Sequence, residues 1–233
     1  MTTIKNNISA IETRLQRAAS DAGRTVSDIL LLAVSKTRTS AQIDEAMAAG
    51  INSFGENYLQ EAIDKISAFP RAKLDWHFIG PLQSNKTRLA AENFAWIHSV
   101  DRLKIAQRLS VQRPPSVVPL NICLQINIDN ESTKSGFTPA QALEAALEIA
   151  RLPSIRLRGL MAIPQSRDSL KDQRAPFRRL RELKDQINER LDNSQKLDTL
   201  SMGMSGDLEA AILEGATIVR VGTDIFGARA SLE

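Results

Sequence analysis

Residues 29–57, ILLLAVSKTRTSAQIDEAMAAGINSFGEN, decide the fold. The run 29–35 is apolar almost to its end, as a strand covered on both faces is. Ile43, Ala46 and Met47 follow at helical spacing, and Gly50 is placed to end that helix as its C′ residue. A second apolar run, 51–54, starts at once. Strand, helix and strand in so short a stretch make a βα unit, and the strands of such units lie parallel.

The same alternation continues in both directions. Further strand-like runs occupy 75–79, 96–100, 120–128, 155–162, 197–201 and 217–221, which makes eight. Between them lie helical patterns: Leu59, Ile63 and Ile66; then Leu103, Ala106 and Leu109 behind Asp101 as an N-cap. Ala142, Leu143, Ala146, Leu147 and Ala150 follow Thr138-Pro139, a cap with proline in the first turn. Phe177, Leu180, Leu183, Ile187 and Leu191 mark the longest. Ile4, Ile8, Ile11 and Leu15 form an amphipathic helix ahead of the first strand, stopped by Gly23. An open doubly wound sheet can carry such a pattern. Eight units plus a leading helix in 233 residues fit a single-domain α/β fold better, a closed (β/α)₈ TIM barrel spanning 1–233.

The chain is 42% hydrophobic and 24% charged, with a formal net charge of only +3, which gives no electrostatic footprint for nucleic acid or membrane. Arg178, Arg179, Arg181 and Lys184 alternate with Glu182 and Asp185 and read as a solvated helix face. Cys123, the lone cysteine, lies in an apolar run and reads as a small buried hydrophobe. No signal-peptide core or long apolar span occurs, so a soluble cytoplasmic protein is expected.

In parallel barrels function gathers at the C-terminal ends of the strands. Those positions hold Lys36 after strand 1, Gly55-Glu56-Asn57 after strand 2, and a loop with Lys134 after strand 5. Ser201-Met202-Gly203-Met204-Ser205 follows strand 7, and Arg220-Val221-Gly222-Thr223 ends strand 8. Loops after strands 7 and 8 often bind phosphate in this fold. Gly203 and Gly222 permit close backbone approach, and Ser201, Ser205 and Thr223 offer hydroxyls; simple turn chemistry is the other reading. Asp207 and Glu209, in the first turn of the next helix, would repel phosphate unless they point outward. Lys36 can merely snorkel its ammonium to water. A partly desolvated lysine can instead attack a carbonyl as its neutral amine. Strand 1 neighbours strand 8 in a closed barrel, so a ligand with an aldehyde at one end and a phosphate at the other would span the two. Pyridoxal 5′-phosphate is such a molecule.

The stretches 31–66 (LLAVSKTRTSAQIDEAMAAGINSFGENYLQEAIDKI), WHFIGPLQSNK, NIDNESTKSGF, RLRGLMAIP and LSMGMSGDLEAAILEGATIVRVGTDIFGAR resemble the pyridoxal phosphate homeostasis protein family. That family is similar in fold to the N-terminal barrel of alanine racemase. The resemblance implies that Lys36 carries the cofactor as a Schiff base and that Ser201, Gly222 and Thr223 hold its phosphate, with Met204 and Ser205 beside them. It also implies that Arg220 faces the pyridine nitrogen. An arginine stays charged, so it would keep that nitrogen unprotonated and weaken the ring as an electron sink. Asn57 contacts the ring or its hydroxyl, or caps the following helix. Lys134 matches a lysine that hands the cofactor on, or is a solvated loop residue. His77 reads as a satisfied core histidine. The family usually has an acidic residue where this chain has Gly206.

The resemblance points to a carrier that buffers pyridoxal phosphate and supplies it to apo-enzymes without significant catalysis. No catalytic residue and no metal ligand set is assigned, and a monomer is expected. Two enzymatic alternatives stand beside it. An amino-acid racemase needs a second acid/base opposite Lys36, and the only tyrosine is Tyr58. A Schiff-base aldolase needs a carboxylate or a second lysine near Lys36, for which Glu56 is the candidate.

Overall fold

Eight parallel strands pair in chain order and close on themselves: β1 (Leu30–Val34), β2 (Ser53–Glu56), β3 (Asp75–Phe78), β4 (Trp96–Val100), β5 (Leu120–Gln125), β6 (Ile155–Met161), β7 (Thr199–Ser201) and β8 (Ile218–Val221). This computed structural model describes residues 3–70 and 73–228. The closing seam is β1 against β8, with Leu30 opposite Ile218 and Ala33 opposite Val221. Helices α1 (Ile4–Asp21), α2 (Ser40–Ala48), α3 (Leu59–Ala68), α4 (Thr87–Asn93), α5 (Leu103–Gln112), α6 (Pro139–Ile149), α7 (Leu170–Arg190), α8 (Leu208–Leu213) and α9 (Thr223–Phe226) complete the fold. No described helix is long and apolar enough to cross a membrane.

Strand alternation divides the core in two. Outward residues such as Ala33, Phe54, Phe78, Ile97, Ile122, Leu160, Val219 and Val221 join the helices in one large apolar cluster. Inward positions hold Leu32, Met161 and Cys123, and beside them a buried polar set, His77, His98, Ser201 and Arg220. Burial pushes the Cys123 thiol up to about 12, so it is the inert small hydrophobe expected.

Local chemistry explains most element ends. Thr138 caps α6 in a reciprocal capping box with Gln141, ahead of Pro139 at the first turn. Gly50, at φ +99°, follows the end of α2. Elsewhere the structure corrects the sequence reading. Asp101 does not cap α5: Arg102 precedes that helix without a side-chain cap, and its guanidinium takes the Asp101 carboxylate at 2.7 Å. Strand β2 runs 53–56 rather than 51–54 and so includes Glu56. Strand β5 ends at Gln125. Helix α4 went unread because Leu89-Ala90-Ala91 offers little apolar contrast.

The basic face of α7 is also more than solvated surface. Arg174, Arg178 and Arg181 converge on Glu214, at 2.7, 3.3 and 3.1 Å, and Glu214 is 1% exposed. Arg179 joins Arg167 on Asp129. Burial alone would raise the Glu214 pKa, but hydrogen bonds from Arg174 and Arg178 outweigh it and hold the carboxyl below its usual range. A depressed carboxyl contributes stability in full above its unfolded pKa and loses it as pH falls through the folded one. Glu214→Gln should therefore cost about 2 kcal/mol at neutral pH. The gap to wild type should narrow in acid, read by urea melts across pH.

Candidate functional site

The mouth at the C-terminal ends of the strands contains a cavity of about 280 Å³. Its walls include Lys36, Asn57, Met204, Ser205, Arg220, Gly222 and Thr223, with Val34, Ile79 and Ile163 as the apolar part. Seven of the eight residues singled out from the sequence thus share one lining. Ser201 does not. It is fully buried below the cavity, where its hydroxyl is engaged by two other side chains.

Lys36 is half-buried and follows β1 on the inward side. Its neighbours are fixed from outside the barrel. Thr37 has φ +62°, a costly left-handed conformation for a β-branched residue, and its N–H donates to Glu61 Oε1 at 2.5 Å. Ser35 donates its hydroxyl to Glu56 Oε1 at 2.6 Å, and its carbonyl accepts from Lys65 Nζ at 2.6 Å. Lys65 Nζ also meets Glu56 at 2.8 Å and Glu61 at 2.6 Å. One buried ammonium therefore pins both flanks of Lys36. Lys65 escaped the sequence reading because it looks like any polar helix residue; its spacing of three from buried Ala62 was the available signal. Burial raises the Glu56 pKa in spite of Lys65 and Ser35. Glu56 faces this outer network rather than the cavity lining, so it does not stand opposite Lys36 as an aldolase carboxylate would.

Across the seam lie the loops after β7 and β8. Gly203 has φ +93°, and a Cβ there would come within 2.5 Å of the Ala211 Cβ, so the chain passes tightly over α8. Asp207 turns back to accept the Met204 N–H at 2.6 Å. Glu209 is held by Arg14 of α1 at 2.8 Å, and the same guanidinium reaches Asp224 at 2.9 Å and the Ser205 carbonyl at 2.9 Å. The extra N-terminal helix thus ties both loops together. It also neutralises Glu209, one of the two carboxylates in that first turn.

The cavity floor is Arg220. It is 4% exposed and donates to Ser201 Oγ at 2.8 Å and to the Ala162 carbonyl at 3.0 Å. Burial draws its pKa down to about 10 against the pull of Asp207, so it remains a cation at neutral pH. Ser201 Oγ in turn lies 2.7 Å from His98 Nδ1, and His98 Nε2 lies 2.9 Å from His77 Nδ1. His77 is the satisfied core histidine expected; His98, beside it, went unread.

Asn57 stands where this cavity meets a second chamber of about 330 Å³, which shares Ile79 and Ile163 and contains Lys134. Lys134 is ion-paired with Glu131 at 2.6 Å and donates to the Ile163 carbonyl at 3.2 Å, so it is more than a solvated loop residue. Asn57 does not cap α3, which starts behind Tyr58 without a side-chain cap. Its backbone packs against Gly80, where any Cβ would overlap the Asn57 carbonyl. Its Oδ1 is buried and accepts no hydrogen bond from the described residues. Tyr58 is 57% exposed and lines a different, apolar pocket.

These features fit pyridoxal phosphate. A buried cation suits an electron-rich ring nitrogen or an anion, an orphaned amide oxygen suits a ring hydroxyl, and the hydroxyls of Ser205 and Thr223 suit a phosphate.

Comparison with known proteins agrees. The family model described as alanine racemase, N-terminal domain, matches residues 6–230. The chain is 56% identical to the pyridoxal phosphate homeostasis protein of Pseudomonas aeruginosa, over 98% of this chain and 97% of that one. It is 48% identical to the protein of the same name from Escherichia coli K12, over 98% of each. PipY of Synechococcus elongatus, solved with PLP bound, superposes with a TM-score of 0.80 at 37% identity, covering 91% of this chain and 99% of PipY. Alanine racemase of Clostridium difficile shares the fold at a TM-score of 0.67 and 15% identity, and this chain covers 57% of it.

Lys65→Met strands Glu56 and Glu61 without their cation and should cost about 3–5 kcal/mol in a chemical melt. Part of the loss should return as pH is lowered and Glu56 takes up a proton, because a carboxyl whose folded pKa is raised favours the folded state in acid.

Proposed function

Because this chain belongs to the pyridoxal phosphate homeostasis protein family, built on the alanine racemase N-terminal domain, we propose that it holds pyridoxal 5′-phosphate as a Schiff base on Lys36. On this reading it buffers the free cofactor in the cytoplasm and supplies it to apo-enzymes as a monomer, with negligible catalysis of its own and no nucleic-acid or membrane partner. The observation that carries the reading is the convergence of Lys36, Asn57, Arg220 and the Ser205, Gly222 and Thr223 loops on one cavity.

When bound, the cofactor supplies an electrophilic carbonyl carbon conjugated to a pyridine ring. The chain supplies the rest. Lys36 gives the amine. Ser205 and Thr223 would donate hydroxyl hydrogen bonds to the phosphate, and Gly222 would leave room for it. Asn57 Oδ1 would accept from the ring hydroxyl, while Ile79, Ile163 and Met204 would give the ring apolar walls. Ser201 acts one layer down, through Arg220. The Arg220 guanidinium would oppose protonation of the ring nitrogen, and a ring kept neutral there would stabilise a carbanion poorly. That favours holding over turnover. A racemase would also need a second base across from Lys36, and Tyr58 opens into another pocket.

Titrating the protein with pyridoxal phosphate should produce a visible absorption band that Lys36→Ala abolishes. The loaded protein should activate an apo-form of a pyridoxal phosphate enzyme while leaving D- and L-amino acids unracemised. A band of equal strength in Lys36→Ala would move the attachment to another lysine, and sustained racemisation would replace the carrier with an enzyme.

A further inference from the structure

The buried polar set inside the barrel has a direction set from its Arg220–Ser201 end. Arg220 Nη1 can only donate to Ser201 Oγ. Ser201 is fully buried, so its own hydroxyl hydrogen needs an acceptor. Its other partner is His98 Nδ1, 2.7 Å away. That nitrogen must therefore be the bare one, and the His98 proton sits on Nε2. From there it donates to His77 Nδ1 at 2.9 Å, which places the His77 proton on Nε2 as well. His77 is anchored in turn, its ring stacked on Trp96 at 5.5 Å with the planes 4° apart.

We propose that Trp96, His77, His98 and Ser201 form a one-directional chain that aims the Arg220 guanidinium at the cavity, with His98 as its central positioning residue. The proposal rests on the pyridoxal phosphate reading for its consequence, though not for its geometry. Each link determines the next. A His98 that carried its proton on Nδ1 would leave the Ser201 hydroxyl without an acceptor and crowd two donors and a stray hydrogen around one oxygen. A protonated His98 would do the same and add a second positive charge beside Arg220. Burial guards against that: it pushes His77 down to about 3, and burial with the nearby His77 and Arg220 pushes His98 well below its usual value. The chain thus stays neutral, and the sole charge at its end is the guanidinium. Thr199 and Met161 are the other inward neighbours on the adjoining strands, and Asp207 is the carboxylate whose field reaches Arg220.

The chain has only two histidines, His77 and His98, so both can be assigned in ¹⁵N-labelled protein by NMR without cofactor. At neutral pH both should be neutral with the proton on Nε2. In a pyridoxal phosphate titration, His98→Leu, which keeps bulk but removes the acceptor, should weaken binding about tenfold and displace the absorption maximum. His98→Asn, whose amide oxygen can replace Nδ1 as acceptor, should restore both. A proton found on His98 Nδ1 would overturn the proposal, as would a His98→Leu protein that melts, binds and absorbs like wild type. If His98→Leu fails to fold, the wild-type tautomers and His98→Asn decide the question. If wild type bound no pyridoxal phosphate, the functional reading would fall, and the tautomers would still test the chain.

Discussion

The pairing of β1 with β8 is the constraint on which the site depends. Leu30 through Ala33 lie beside Ile218 through Val221. That register delivers Lys36, just past the end of one strand, to the same rim as Arg220, Gly222 and Thr223 from the other. Residues about 185 positions apart in sequence become neighbours only because the sheet closes. The closure in turn rests on the outward apolar faces, which the helices cover in one continuous cluster.

Closure also creates the main energetic problem of this fold. The inside of the barrel is out of water, yet it holds a guanidinium, two imidazoles and a hydroxyl. An isolated charge there would cost many kcal/mol. Two acceptors, Ser201 Oγ and the Ala162 carbonyl, and the field of Asp207 offset that cost for Arg220. Outside the barrel the same logic operates around Lys65, whose ammonium joins Glu56, Glu61 and the Ser35 carbonyl. Two buried cations, one on each side of the sheet, hold the floor of the cavity and the flanks of Lys36. Rigidity on both sides is what a protein needs to present a single amine in one geometry.

Much of this was legible in the sequence. Near-continuous apolar runs separated by helical patterns identify βα units, and their number identifies the barrel. Seven of the eight residues marked at strand ends do line one cavity. The parts that were not legible share a cause: hydrophobic patterning cannot see polar groups that are buried because they satisfy one another. Glu56 reads as lying just past the end of β2, yet it lies within the strand, fully buried against Lys65. His98 in Trp-Ile-His-Ser-Val looks like any core position, and only its hydrogen bond to His77 reveals a pair. Ser201 carries a hydroxyl at the right strand end but one layer too deep, where Arg220 and His98 use it. Arg14 and Glu209 are 195 residues apart, and no local pattern announces that pairing.

One particular amine, Lys36, is proposed to hold the cofactor. Borohydride reduction of the pyridoxal phosphate-loaded protein, followed by peptide mapping by mass spectrometry, distinguishes it from every other lysine. A single phosphopyridoxyl group on the peptide containing Lys36 is the predicted result. Stoichiometric labelling of Lys134 or any other lysine, with Lys36 unmodified, would contradict the account.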